Sequence, residues 1–151
     1  MPLERASRPC LGDVFKSIDH PTICLVSGIL RNATGSTLAA GTPLLAQPVK
    51  FTGGKWVFVE AGDEANAGGL VFDQGVLAAS LADATDVPYQ PGGKTAILTL
   101  GPAIILETHL PANDVVGVAL NWTTLQTRFG VIDPHIKFVD QPPSVYTQTF
   151  G

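Results

Sequence analysis

Three histidines, two cysteines and a handful of adjacent carboxylates are the residues of this 151-residue chain whose types could carry chemistry. His20, His109 and His135 stand far apart, and none falls in a zinc-ligand spacing. Glu107 with His109, and Asp133 with His135, are two residues apart, which would put each pair on one face of a strand. Pro134 argues against a regular strand in the second pair, and two ligands do not make a metal site. Each histidine therefore reads as a loop or surface residue. Cys24 lies in an apolar run and reads as an inert core thiol, while Cys10 has no neighbour placed to activate it. Asp63 and Glu64 sit among small residues and read as a solvated acidic loop rather than an acid/base pair. Trp56 and Trp122 read as core or subunit-contact residues, with sugar stacking on Trp56 or Tyr89 as the alternative.

The glycine-rich pieces fit no nucleotide fingerprint. Thr52-Gly-Gly-Lys-Trp56 lacks the flanking Gly and the Ser/Thr of a phosphate-binding loop. Pro91-Gly-Gly-Lys-Thr95 ends correctly, but the position that needs the first Gly is Pro88, and the residues after Thr95 read as strand where a helix is required. No Gly-x-Ser-x-Gly elbow occurs. Catalytic, cofactor-binding and metal residues are therefore expected to be none, and the chain is expected not to be an enzyme.

Those candidate residues need elements to hold them, and bulk composition bounds the choice. The length suits one domain with a sizeable core. An apolar fraction of 45% indicates a folded chain, and 16 Gly and 12 Pro without a sustained heptad favour β structure with many turns. Net charge is −4, and no Lys or Arg occurs between Lys55 and Lys94, where Glu60, Asp63, Glu64, Asp73, Asp83 and Asp86 fall. Such a balance disfavours nucleic acid and anionic membrane surfaces as partners. Two cysteines make no disulfide framework. The first residues lack the apolar core of a signal peptide, and no apolar run approaches the ~20 residues of a membrane span. Synthesis in the cytoplasm as a soluble protein is the expectation.

Residues 36–46, Ser-Thr-Leu-Ala-Ala-Gly-Thr-Pro-Leu-Leu-Ala, set the pattern of the whole chain: an apolar run, a glycine bend at Gly41, and a strand resuming near Pro43. Before it, residues 1–12 read as an extended arm, 13–18 as either a helical turn or the end of that arm, and 22–30 as one buried strand with a bulge at Gly28. After it come a turn at 51–55, a strand at 56–60, apolar runs at 68–72 and 75–81 (residues 77–81 fit helix or strand), and a polar loop at 83–93. Residues 94–106 give the strongest β signal, kinked at Gly101-Pro102. Apolar residues 115–120 follow. Asn121 can then cap a helix over 122–129, with Trp122, Leu125 and Phe129 on one face, Arg128 at its negative end and Gly130 just past it. Residues 136–139 form a last short apolar run, and 141–151 a polar tail.

The order of these motifs resembles the lambda-type bacteriophage head decoration proteins. The resemblance lies in Leu11-Gly-Asp-Val-Phe-Lys, residues 23–30, Leu38-Ala-Ala-Gly-Thr-Pro-Leu-Leu, Ala67-Gly-Gly-Leu-Val-Phe and Leu98-Thr-Leu-Gly-Pro-Ala-Ile-Ile. Ala119-Leu-Asn-Trp-Thr-Thr-Leu with Phe129-Gly-Val-Ile is similar to their helix and final strand. It implies a mainly β fold, a small β-clip or β-barrel-like domain with one or two short helices and an N-terminal arm. It also implies a homotrimer on the outer surface of the virion that binds the expanded major capsid protein and reinforces the shell against DNA pressure. In the implied arrangement, residues 1–12 form the capsid-binding arm, with Pro2, Leu3, Arg5, Arg8 and Leu11 as its contacts. Residues 13–140 form the decoration domain, whose acidic loop at 62–66 faces outward, and 141–151 form a tail on or near it. The alternatives are another virion component, from tail, baseplate or fibre, or a small β-barrel that binds carbohydrate or another ligand.

Overall fold

A computed structural model describes residues 11–18, 20–73, 75–88 and 93–140. The chain is mainly β, with ten short strands in two sheets, three α-helical segments and two 3-10 turns among the described residues. A helical turn, α1 (Leu11–Val14), leads directly into β1 (Phe15–Ile18). A second turn, α2 (Pro21–Cys24), leads into β2 (Leu25–Gly28), and β3 (Leu30–Asn32) follows after a single residue. The expected continuous strand over 22–30 is thus a helical turn and two strands. Pro21 starts the turn at a position where its missing N–H costs nothing. Gly28 closes β2, and its lack of a side chain makes room for Trp56: a Cβ there would lie 2.6 Å from Trp56 Nε1.

β4 (Pro48–Thr52) and β5 (Lys55–Phe58) make a tight hairpin in register Thr52↔Lys55. Its two-residue loop is Gly53-Gly54 with φ of 60° and 80°, the left-handed pair that the twist of a two-residue hairpin favours. β6 (Gly69–Val71), β7 (Thr85–Asp86) and β8 (Thr95–Leu98) complete a seven-stranded sheet in the order β2-β8-β6-β4-β5-β3-β7. Its pairs are antiparallel except β3 with β5. The first and sixth strands, β2 and β3, are separated in the chain by Ile29 alone. The sheet must therefore roll up until its two ends nearly meet, since one residue spans only ~3.5 Å. The roll stays an open ladder rather than a closed barrel.

The second sheet has three strands, β1, β9 (Ala103–Leu106) and β10 (Ile136–Val139), with β9 in the centre, antiparallel to β1 and parallel to β10. The kink at Gly101-Pro102, a cis peptide, carries the chain from β8 in the large sheet to β9 in the small one. Helix α3 (Trp122–Ile132) lies between β9 and β10 in sequence and packs on the small sheet through Leu125 and Phe129. Asn121 caps it as expected, its Oδ1 accepting the Thr124 N–H at 3.1 Å. The helix continues through Gly130 to Ile132, so Gly130 is interior, Arg128 is not in the last turn, and residues 129–132 are helix rather than final strand. Arg128 instead donates to the Ala67 carbonyl at 2.8 Å, tying the helix to the loop before β6.

Two apolar clusters form the core. One gathers Val14, Phe15, Leu70, Leu98, Ile105, Leu125 and Phe129; the other gathers Leu30, Leu38, Leu44, Val49, Trp56, Val71 and Ile97. Adjacent residues of a strand point to opposite faces, so Leu70 and Val71, like Ile97 and Leu98, feed different clusters. The central strands are covered on both sides, which explains their continuous apolar runs. Within residues 36–46 Leu38, Leu44, Leu45 and Ala46 are buried while most of the others are exposed, and Gly41 makes the expected bend at φ 86°. They form no strand, however: Leu38 and Pro43 make isolated bridges to Leu81 and Val76. The strand resumes only at Pro48, because Ala46 adopts φ 58° and the Gln47 N–H turns back to the Leu44 carbonyl.

Candidate functional site

Glu64, expected in a solvated loop, is only 5% exposed. It sits in a short 3-10 turn, Glu64–Asn66, packed against α3. Its Oε1 accepts the Gly62 N–H at 2.6 Å and its Oε2 the Asn121 N–H at 2.9 Å. Burial pushes its carboxyl up, but the N–H groups of Asn121 and Gly62 outweigh that and hold it below the usual range. Asp63 is held low as well, first by its hydrogen bond to Lys50, against a smaller opposing effect of burial. Asp114, also buried, accepts N–H groups from Ala61, Val116 and Val118. Glu60 moves the other way, raised first by burial and then by the neighbouring charge of Asp114. The loop is therefore a joint that fastens the 61–67 segment to the start of α3 and to the 113–119 turn, not a free acidic surface.

Other carboxylates of the acidic window are partnered as well. Asp86 pairs with Lys55 and Arg31, Asp83 accepts the Gly35 N–H, and Asp73 accepts the Gly75 N–H. His20, His109 and His135 are all exposed, as expected. Glu107 and His109 lie in a 3-10 turn, not on one strand face. Asp133 and His135 do meet, Oδ1 to Nδ1 at 3.0 Å, but in the turn before β10. The Asp133 carboxyl is held low first by the His135 backbone N–H, then by that of Gly101. No group of three metal-ligating side chains occurs among the described residues. Cys24 is fully buried in the core. Thr95 opens a strand, which removes the phosphate-loop reading of residues 91–95. No helix among the described residues is long and apolar enough to cross a membrane.

Trp56 is buried edge-on against Phe51, so it offers no face to a sugar; Trp122 is half-buried and donates to the Pro111 carbonyl at 2.6 Å. Tyr89, Cys10, the tail at 141–151, and Pro2, Leu3, Arg5 and Arg8 of the arm lie outside the described residues. Leu11 is within α1 and packs against the first core cluster, so its side chain is committed to the domain.

Two surface features have the character of binding sites. The first is an apolar sheet edge. β2 is an end strand, paired on one side only among the described residues, and Ile23 (60% exposed), Val26 (39%) and Leu100 surround it. The second is a cleft of about 580 Å³ between the 42–47 segment, Gly75-Val76 and the 109–117 segment, with buried Gln47 in its lining. Nothing in the local sequence around Gln47, Glu64 or Asp114 announced these roles, because each depends on a segment far away in the chain. Comparison with known proteins gave no match: no family model, no curated protein and no solved structure matches the chain.

Proposed function

We propose that this chain is a capsid decoration protein of a bacteriophage, binding the outside of the expanded head as a homotrimer and stabilising the shell against internal DNA pressure. The observation that carries the reading is the apolar edge at β2, unpaired among the described residues, on a mainly β domain whose motif order resembles the lambda-type decoration proteins. Unpaired strand edges recruit further strands, and a soluble monomer normally blunts them with charge or cover. Here Ile23, Val26 and Leu100 leave the edge apolar, which suits burial against a second copy of the chain.

Function then follows from multivalency. A trimer presents three copies of the segment that precedes α1, with Pro2, Leu3, Arg5 and Arg8 assigned to capsid contact. Once one copy is attached, the others bind at a high effective concentration, so weak individual contacts sum to a firm grip. Such a protein transforms no molecule; its work is mechanical. Negative-stain images and protein composition of purified virions test the reading. The chain is expected on the outer face of full heads. Its absence from purified particles, with all of it in the soluble fraction of infected cells, would refute the proposal. Presence only in tails would transfer it to the tail or baseplate class.

A further inference from the structure

The two ends of the described chain meet at one place. Helical turn α1 packs against the 3-10 turn Glu107–His109. At the other end, Thr108 Oγ1 donates to the Asp140 carbonyl at 3.2 Å. His109 and Leu110, the next two residues, line the cleft of about 580 Å³. The chain therefore continues past Asp140 from the rim of that cleft.

The cleft's walls leave apolar surface open. Pro43 is exposed, and Val76, Leu110 and Pro111 are half-buried. Its titratable lining residues are His109 and Asp114, and Asp114 already accepts three backbone N–H groups. Two segments of the chain start beside it. Residues 1–10 carry Glu4, Arg5 and Arg8, and the two arginines would find no free carboxylate among the apolar walls. Residues 141–151, Gln-Pro-Pro-Ser-Val-Tyr-Thr-Gln-Thr-Phe-Gly, contain no Asp, Glu, Lys, Arg or His. They supply Val145, Tyr146 and Phe150 for burial, and Pro142-Pro143 is a stiff spacer that loses little entropy on docking.

We propose that this cleft is the docking site of the chain's own residues 141–151, with Val145 and Tyr146 against its apolar walls. The four residues 141–144 can span up to ~14 Å, enough to reach from Asp140 to walls that begin beside Thr108. Docking ties the end of β10 to the segments that meet at the Pro43↔Val76 bridge. Tethering at the rim gives an effective concentration on the order of 1 mM, so an intrinsic affinity of ~0.1 mM suffices for about 90% occupancy. The contact is independent of capsid binding, and either can fail alone.

The test uses the full chain, deuterated, with ¹³C-labelled Val and Leu methyls and protonated Tyr and Phe. Nuclear Overhauser cross-peaks are expected from the Tyr146 ring to methyls of Leu45, Val76, Leu110 or Val115. Chymotrypsin cleavage after Tyr146, followed by mass spectrometry and divided by the rate for a free peptide of residues 141–151, should be slowed about tenfold. Val76→Asp puts a carboxylate into the cleft wall, and Val145→Asp charges the occupant without altering the domain. Both should abolish the cross-peaks and restore the rate of the matched free peptide, and Val145→Asp decides the matter even where the Val76 variant fails to fold. Cleavage of the unaltered chain at the free-peptide rate, without ring-to-methyl cross-peaks, would overturn the proposal. So would equal slowing in Val145→Asp. Cross-peaks found only between labelled and unlabelled chains in a mixed sample would overturn it too, by seating a second copy's tail in the cleft.

Discussion

Replacing Glu64 by Gln removes one carboxylate oxygen from a buried joint and turns an amide N–H toward a backbone N–H. In the structure both carboxylate oxygens are used, on Gly62 at 2.6 Å and Asn121 at 2.9 Å, and the side chain is almost fully enclosed. Gln keeps a single acceptor oxygen, so one of the two N–H groups loses its partner. Hydrogen bonds to a charged group are worth about 1.5–3 kcal/mol, and that range is the expected loss for Glu64→Gln. For a chain of this length it corresponds to roughly 3–12 °C in Tm. Urea unfolding followed by far-UV circular dichroism, with calorimetry alongside, measures it. The pH dependence gives a second signature. The folded carboxyl titrates below its ordinary value, so its stabilisation is complete above pH ~4.5 and is lost as pH falls through the depressed folded pKa. Glu64→Gln should therefore cost stability at neutral pH and flatten the acid limb. Asp63→Asn is the control, since its pair with Lys50 is about one-third exposed and worth about 0.2–1 kcal/mol. A Glu64→Gln variant as stable as the parent, with an unchanged acid limb, would refute the reasoning.

Glu60 has the opposite sign: its folded carboxyl is raised, so its ionisation costs stability as pH rises from ~4.5 through the raised value. Glu60→Gln should stabilise the chain at pH 7 and lose that gain in acid, as chemical denaturation at the two pH values would show. Gly28→Ala places a Cβ against the Trp56 indole and should destabilise by about 1–3 kcal/mol with a shift in tryptophan emission, read from urea unfolding by fluorescence. Val26→Lys puts a charge on the β2 edge; it should abolish trimers in sedimentation velocity while changing monomer stability by no more than about 0.5 kcal/mol.

The parts of the fold that were legible in the sequence are those governed by local signals. The Gly53-Gly54 turn, the Asn121 cap, the kink at Gly101-Pro102 and the apolar runs of β6, β8 and β9 all depend on residue types within a few positions. Errors arose where distant contacts decide. Pro21 starts a helical turn within what reads as one strand. Gly130 looks like a stop signal, but with no positive φ demanded there the helix runs on to Ile132, where the Asp133 N–H still bonds to the Phe129 carbonyl. Glu64 looks like a surface acid because one of its N–H partners, Asn121, is more than 50 residues away in the chain. Gln47 is equally silent, since its environment is assembled from three separate segments.

The most direct measurement of the proposed role is co-sedimentation of the full chain with expanded and unexpanded heads of the phage to which the proposal assigns it. The proposal predicts saturable binding to expanded heads as trimers of about 47 kDa, three copies of the 15.8 kDa chain, and little binding to unexpanded heads. Failure to sediment with expanded heads, at concentrations where the isolated protein is folded, would contradict it.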